Sequence, residues 1–218
     1  MSKLIFDEVN NRKYETGCKY GILWTLSDEG TYNDGVAFDG LTSVDDSPSG
    51  DEPTDLWADD MKWLTIRSAP DFTFTISAYM YPPEWSECDG SKEVAPGVFA
   101  GQQTRRPFAF CYRSVVGNEV KDNDYGYKYH IYYGASCSPS QRQYGTVNNS
   151  PNAITFSWQC TTTPIEIAGM KPTAVITIDS TLADAAKLRT FEDIIFGSEN
   201  SNSRLPMPDE IIRHFSAS

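Results

Sequence analysis

Two histidines and a dense set of acids are the first residues to test for chemistry. His130 stands inside the tyrosine-rich run YGYKYHIYYG, and His214 lies near the last residue. A histidine within an alternating aromatic run reads as a strand residue held by its neighbours rather than as a general base. The chain contains no HExxH, no GxSxG, no phosphate-cradling glycine loop and no CxxC, the patterns that would place metal, nucleophile, phosphate or redox chemistry. Carboxylates occur in pairs at Asp45-Asp46, Asp51-Glu52 and Asp59-Asp60. An acidic run in water, however, does not shift a pKa as a dry cleft does. Those oxygens are also hard ligands, yet no D-x-D-x-D-G loop with a closing Glu is present, so no calcium site is expected. The five cysteines, Cys18, Cys88, Cys111, Cys137 and Cys160, are widely spaced and suit neither a zinc site nor a redox pair. Reduced thiols, some of them in the core, are the expectation. The residues therefore predict no catalytic site, no cofactor and no enzyme activity.

The charge is localised. The 218 residues carry a net charge of −12, and between Lys19 and Lys62 there are eleven acids and no basic residue. Nucleic-acid grip needs clustered Lys and Arg, which this balance does not suggest. No run of 18 apolar residues occurs and the first residues lack the apolar core of a signal peptide, so a protein made and kept in a cytosol is expected.

Positioning elements follow from hydrophobic period. In the segment 171–197, Ala174, Ile176 and Ile178 alternate as in a half-buried strand. The period then changes, with Asp179, Ser180 and Thr181 as N-cap candidates and Asp184 three residues after Thr181. Leu182, Leu188, Phe191 and Ile195 lie on one helical face, and Gly197 supplies the stop. No second helix is long enough to cover that face, so the helix is expected to pack on a sheet. Strands are expected at 20–26, 36–38, 61–67 paired with 72–79, 108–112 turning back as 125–134, and 154–161. A short helix is expected near 209–215. About seven strands around one helix give a mainly β, α+β fold: a β-sandwich with one flanking amphipathic helix.

The segment 39–60, DGLTSVDDSPSGDEPTDLWADD, reads as a long acidic loop on turn chemistry and like-charge repulsion. Loops of such length are uncommon in compact domains unless they act. Leu41, Val44, Leu56 and Trp57 inside it favour a loop that orders against another subunit. The tyrosines at 125, 127, 129, 132 and 133, with Trp24, Trp57, Trp63 and Trp85, leave a second reading open: an aromatic platform of a carbohydrate- or receptor-binding decoration protein.

Over 35–69, the string GVAFDGLTSVDDSPSGDEPTDLWADDMKWLTIRSA resembles major tail proteins, the tail-tube subunits of long-tailed bacteriophages of the siphophage type, in the group infecting Gram-positive hosts. The resemblance continues through YPPEWSECDGS, PGVFAGQQTRRPFAFCYRS, YGYKYHIYYGASCSPSQRQYGTVNNSPNAITFSWQCTTTPI and LPMPDEII. Phe38, where Trp is expected, and Pro70, where Glu is expected, depart from it. The resemblance implies a structural virion protein that forms stacked hexameric rings, a tube for DNA ejection assembled in the host cytoplasm. Its implied partners are other copies, tail-tip, tape-measure and tail-terminator proteins, and DNA that passes without specific binding. It implies one tail-tube domain with an N-terminal arm at 1–17, a docking loop at 39–60 and a C-terminal extension at 198–218. In that frame Asp39, Leu41, Val44, Asp45, Asp46, Asp51, Glu52, Asp55, Leu56 and Trp57 would meet the next ring, with Arg105, Arg106 and Lys171 as candidate basic partners.

Overall fold

The computed structural model describes residues 4, 6, 8, 9, 11–49, 53–66, 71–146 and 153–216. Among these described residues, twelve strands and three helices follow in order: β1 (Lys13–Thr25), β2 (Val36–Phe38), β3 (Leu41–Ser49), β4 (Thr54–Ala58), β5 (Met61–Ile66), β6 (Asp71–Ala78), α1 (Trp85–Cys88), β7 (Lys92–Ala95), β8 (Val98–Ala100), β9 (Phe108–Asn118), β10 (Asp122–Cys137), β11 (Phe156–Thr162), β12 (Val175–Asp179), α2 (Ala185–Phe196) and α3 (Pro208–Ser216). The fold is mainly β, with α2 and α3 on one face of a large antiparallel sheet and α1 in the core on the other.

The sheet runs β2-β1-β9-β10-β11-β6-β3, and β12 also pairs with β10. Strand β10 is shared. Its residues 128–132 pair with β12, and 135–137 pair with β11. Gly134, with φ +57°, sits at the change of partner, and a side chain there would strike the Thr163 carbonyl oxygen at 2.5 Å. Only glycine meets both demands.

Alternation along the central strands sends side chains into two cores. Leu23, Phe108, Phe110, Tyr112 and Tyr132 meet Phe74, Ile76, Trp158 and Cys160 of the β11-β6 half, with Phe38 and Trp85 between. Ile22, Trp24, Ala109, Cys111, Tyr129, Ile131 and Tyr133 point the other way, to Leu188, Phe191 and Ile195 of α2 and Leu205 and Ile211 beside and within α3. Strands covered on both faces read as near-continuous apolar runs, as β9 does. Each fully buried aromatic there contributes about 2 kcal/mol or more through removal from water.

The helix expected after the 171–197 strand is present, starts later than expected, and stops at Gly197 with φ +81°. Asp184 is its N-cap, its carboxylate accepting from the amides of Ala186 and Lys187 at 3.0 Å each. Asp179 instead closes a local turn by accepting from the Thr181 amide and hydroxyl. Leu182 therefore precedes the helix and is 85% exposed, which corrects its expected place on the packing face; Leu188, Phe191 and Ile195 are buried as expected. The segment after α2 is no loose extension. His214 Nε2 donates to the Lys187 carbonyl at 2.8 Å, and Lys187 Nζ to that of Phe215 at 3.1 Å.

Three further expectations are corrected. Residues 13–16, assigned to an N-terminal arm, pair with β9. Strand β5 pairs with β4, not with the strand at 72–79. The segment 39–60 holds two strands, β3 and β4. Asp45, Asp46 and Pro48, which argued for a loop, occupy an edge strand, where one side needs no backbone partner and where charge and proline block wrong pairing.

Candidate functional site

Two surfaces stand out, one flat and polar, the other narrow and apolar. The first is the outward face of β3-β6-β11. Register sets Ser43 beside Ser77 and Ser77 beside Ser157; Asp45 beside Thr75 and Thr75 beside Gln159; Ser47 beside Thr73 and Thr73 beside Thr161. The result is a three-by-three grid of short polar side chains with one carboxylate and no cation. Its inner counterparts, Phe74, Ile76, Trp158 and Cys160, are fully buried. The period-2 pattern of 72–79 and 154–161 fixes this polarity. Thr73 Oγ1 donates to the Ser47 carbonyl at 2.7 Å, and Ser43 Oγ to Asp45 at 2.9 Å.

The second surface is the β4–β5 hairpin. Asp59 and Asp60 make its two-residue turn with φ +52° and +60°, the left-handed pair that suits the twist of a hairpin. Asp55 anchors the ladder by accepting from Lys62 Nζ and Thr65 Oγ1, both at 2.7 Å. Those two hydrogen bonds hold its carboxyl below the usual carboxylate range. Leu56 lies opposite Leu64, and Ala58 opposite Met61. Trp57, Met61 and Trp63 are more than 60% exposed, and Leu56, Leu64 and Ile66 are exposed as well. Large apolar side chains in a paired strand without a core are the mark of a surface that another molecule covers.

The expected contact residues thus separate. Asp55, Leu56 and Trp57 lie on the hairpin. Asp45 lies on the polar grid. Leu41 and Val44 are half-buried against the first core, Asp46 accepts from the Tyr132 hydroxyl at 2.7 Å, and Asp39 is exposed beside the Gly40 turn. Asp51 and Glu52 lie outside the described residues. Met61, Trp63, Leu64 and Ile66 join the surface although the sequence reading did not include them; their signal was apolar residues on both faces of a strand beside an acidic turn. Of the candidate basic partners, Arg106 is engaged within the chain, by Glu87 at 2.8 Å, Asp28 at 3.2 Å and the Leu26 carbonyl at 3.2 Å. Arg105 is half-buried, with an Nε that has no hydrogen-bond partner. Lys171 is exposed.

The aromatic platform is not assembled. Trp24, Trp85, Tyr129, Tyr132 and Tyr133 are fully buried. Tyr127 and Tyr129 instead donate to Glu192 of α2 at 2.7 and 2.9 Å. Burial and that carboxylate push the Tyr127 phenol up to about 12 and the Tyr129 phenol higher.

One cluster carries the residue types of nucleophilic catalysis. Ser114 Oγ lies 2.9 Å from His130 Nε2 and donates to Glu15 at 2.5 Å. Glu15 Oε1, however, lies 3.2 Å from that same Nε2, while Nδ1 faces Thr177 at 3.4 Å. In a working triad the acid holds the nitrogen remote from the serine, so this arrangement does not activate Ser114. Burial lowers the His130 pKa and outweighs Glu15. Burial raises Glu15, but hydrogen bonds from Lys128 and Ser114 bring it down overall. The cluster ties the start of β1 to β9 and β10.

No family model matches the chain, and no curated protein does. Among solved structures it is similar to a chain of the cryo-EM structure of the anti-feeding prophage (AFP) baseplate, 6-fold symmetrised, with 8% identity and a TM-score of 0.36 over 82% of this chain and 97% of that one. Agreement at that level decides neither family nor role. No helix among the described residues is long and apolar enough to cross a membrane.

Proposed function

We propose that this chain is a structural subunit of a bacteriophage tail, polymerising as stacked hexameric rings into the tube through which DNA leaves the particle. The observation that carries the reading is one small body bearing both a cation-free polar sheet face and an exposed apolar hairpin. The sheet face suits a lumen. Ser, Thr and Gln side chains with a lone Asp45 offer phosphates no Lys or Arg, so a duplex slides past rather than sticks. The hairpin suits an inter-ring contact, because docking removes Trp57, Trp63, Met61 and Leu64 from water. Strands β2 and β3 end the sheet order and present unpaired backbone edges, which closure with neighbouring subunits satisfies. The resemblance of 35–69 to tail-tube subunits agrees with this division of labour, with the docking element moved from the whole of 39–60 to the hairpin at 53–66.

The test is electron microscopy with light scattering on the purified full chain, beside a variant lacking residues 54–66. The expected result is hollow tubes or six-fold rings from the full chain, and a folded monomer from the variant. A monodisperse monomer from the full chain, even when concentrated with tail-tip initiators, overturns the tube role. Tubes from the shortened variant overturn the role of the hairpin.

A further inference from the structure

Three of the five thiols gather in the first core: Cys88 of α1, Cys137 at the end of β10 and Cys160 of β11. Cys137 and Cys160 are register partners. The Ser138 amide donates to the Gln159 carbonyl, and the Thr163 amide to that of Gly134. Hydrogen-bonded pairs alternate with non-hydrogen-bonded ones along an antiparallel ladder, so Cys137 and Cys160 occupy a non-hydrogen-bonded position. There the α-carbons approach within the range that a disulfide spans, and the side chains lean together. We propose that Cys137 and Cys160 are a latent cross-strand redox pair that closes to a disulfide when the folded protein meets a peroxide. This inference does not rest on the tail-tube reading.

The surroundings distinguish the two sulfurs. The adjoining Cys160 side chain lowers the Cys137 pKa against the effect of burial, and the Arg105 guanidinium lowers it further. Burial raises Cys160, whose thiol donates to the Trp158 carbonyl at 3.7 Å, as the Cys137 thiol does to that of Ser138 at 3.4 Å. The unpartnered Arg105 Nε leaves that guanidinium without a full set of acceptors. A thiol beside an arginine and a second thiol is placed to react once its proton is lost. Cys88, though close, is pushed up to about 12 by burial and is the poorer nucleophile. Burial also raises Cys18 and Cys111.

The step balances with hydrogen peroxide as oxidant. Cys137 loses its proton and attacks one peroxide oxygen, the O–O bond breaks, and the departing hydroxide takes up that proton as water, giving a sulfenic acid. The Cys160 sulfur then attacks the sulfenic sulfur, the S–O bond breaks, and the thiol proton leaves with the oxygen as water. Two thiols and one peroxide become one disulfide and two waters. Cys137 and Cys160 are both buried, so the oxidant to use is one close to water in size rather than a larger disulfide.

The experiment treats the full chain with hydrogen peroxide at neutral pH, quenches with catalase, then denatures, alkylates with iodoacetamide and digests with trypsin. Cleavage after Arg142 separates the two cysteines. The expected result is alkylation of Cys18, Cys88 and Cys111 alone, with the Cys137 and Cys160 peptides joined and no covalent dimer on a non-reducing gel. Cys88→Ser should keep the link, and Arg105→Gln should slow its formation by about threefold or more. In Cys160→Ser, dimedone should capture the sulfenic acid at Cys137. All five thiols alkylated after oxidation, a link through Cys88, or Cys137 oxidised to sulfinic acid beside a free Cys160 would each overturn the proposal. Peptide mapping of the unmodified sequence decides it if a variant fails to fold.

Discussion

The hairpins β9–β10 and β4–β5 are both antiparallel and aromatic-rich, and they end in opposite surroundings. In β9–β10 nearly every residue of β9 is buried, because one face meets the β11-β6 half and the other meets α2 and α3. In β4–β5 every described residue from 53 to 66 except Thr65 is exposed. Strand propensity is therefore shared between them, while burial depends on what the rest of the chain supplies on either side. The first hairpin stabilises the subunit. The second leaves its apolar area exposed, available for the contact proposed above.

The largest effect that tests this contrast falls on the buried hairpin. Phe110 is fully buried, with ring centroids 5.6 Å from Phe38 and 6.4 Å from Phe74. Phe110→Ala should lower the unfolding free energy by about 3–5 kcal/mol in a denaturant titration; a loss no larger than that of a surface change would break the comparison. On the exposed hairpin, Trp57→Ala with Trp63→Ala should alter stability by no more than about 0.5 kcal/mol while abolishing tubes in negative-stain images. A marked drop in melting temperature would mean that the tryptophans pack within the subunit instead.

The smallest effect sharpens the buried side. His130 has its pKa lowered from the ordinary 6.5, chiefly by burial. The unfolded chain thus takes up the proton first, so stability is full above about pH 6.5 and is lost as pH falls through the lowered folded value. Melting curves at neutral and mildly acidic pH should show that loss, and His130→Gln should reduce it. An unchanged acid dependence in that variant would assign the loss to the surrounding carboxylates.

Much of this division was legible in the residues. The alternation of 72–79 and 154–161 named strands and faces correctly, since a half-buried strand writes its orientation in every second side chain, whereas 108–112 and 125–134 were legible as strands but not in their faces, because both of those faces are covered. Gly197 marked the end of α2 because a left-handed residue there needs no tertiary context. The start of α2 was misread: Asp179, Ser180, Thr181 and Asp184 are all competent caps, and the docking of Leu188 and Phe191 on β10 chooses among them. Strand β3 was hidden by its own edge chemistry, as Asp45, Asp46 and Pro48 resemble loop residues until Thr75, Phe74 and Phe72 are seen beside them. The exposed hairpin was half legible. Trp57 stood out, but Trp63 and Leu64 look like core residues to any local rule.

The order of strands in the sheet also dictates an order in time. Strand β1 leaves the ribosome first, yet its main partner β9 follows only after the whole of 26–107 has been made, and β6 waits in the same way for β11. Such distant pairings make folding slow. Closure of the second core waits longer still, for Leu205 and Ile211. A nascent chain therefore carries its apolar hairpin well before it has a finished body, and the acids of that hairpin, Asp55, Asp59 and Asp60, oppose contact between neighbouring chains during that interval.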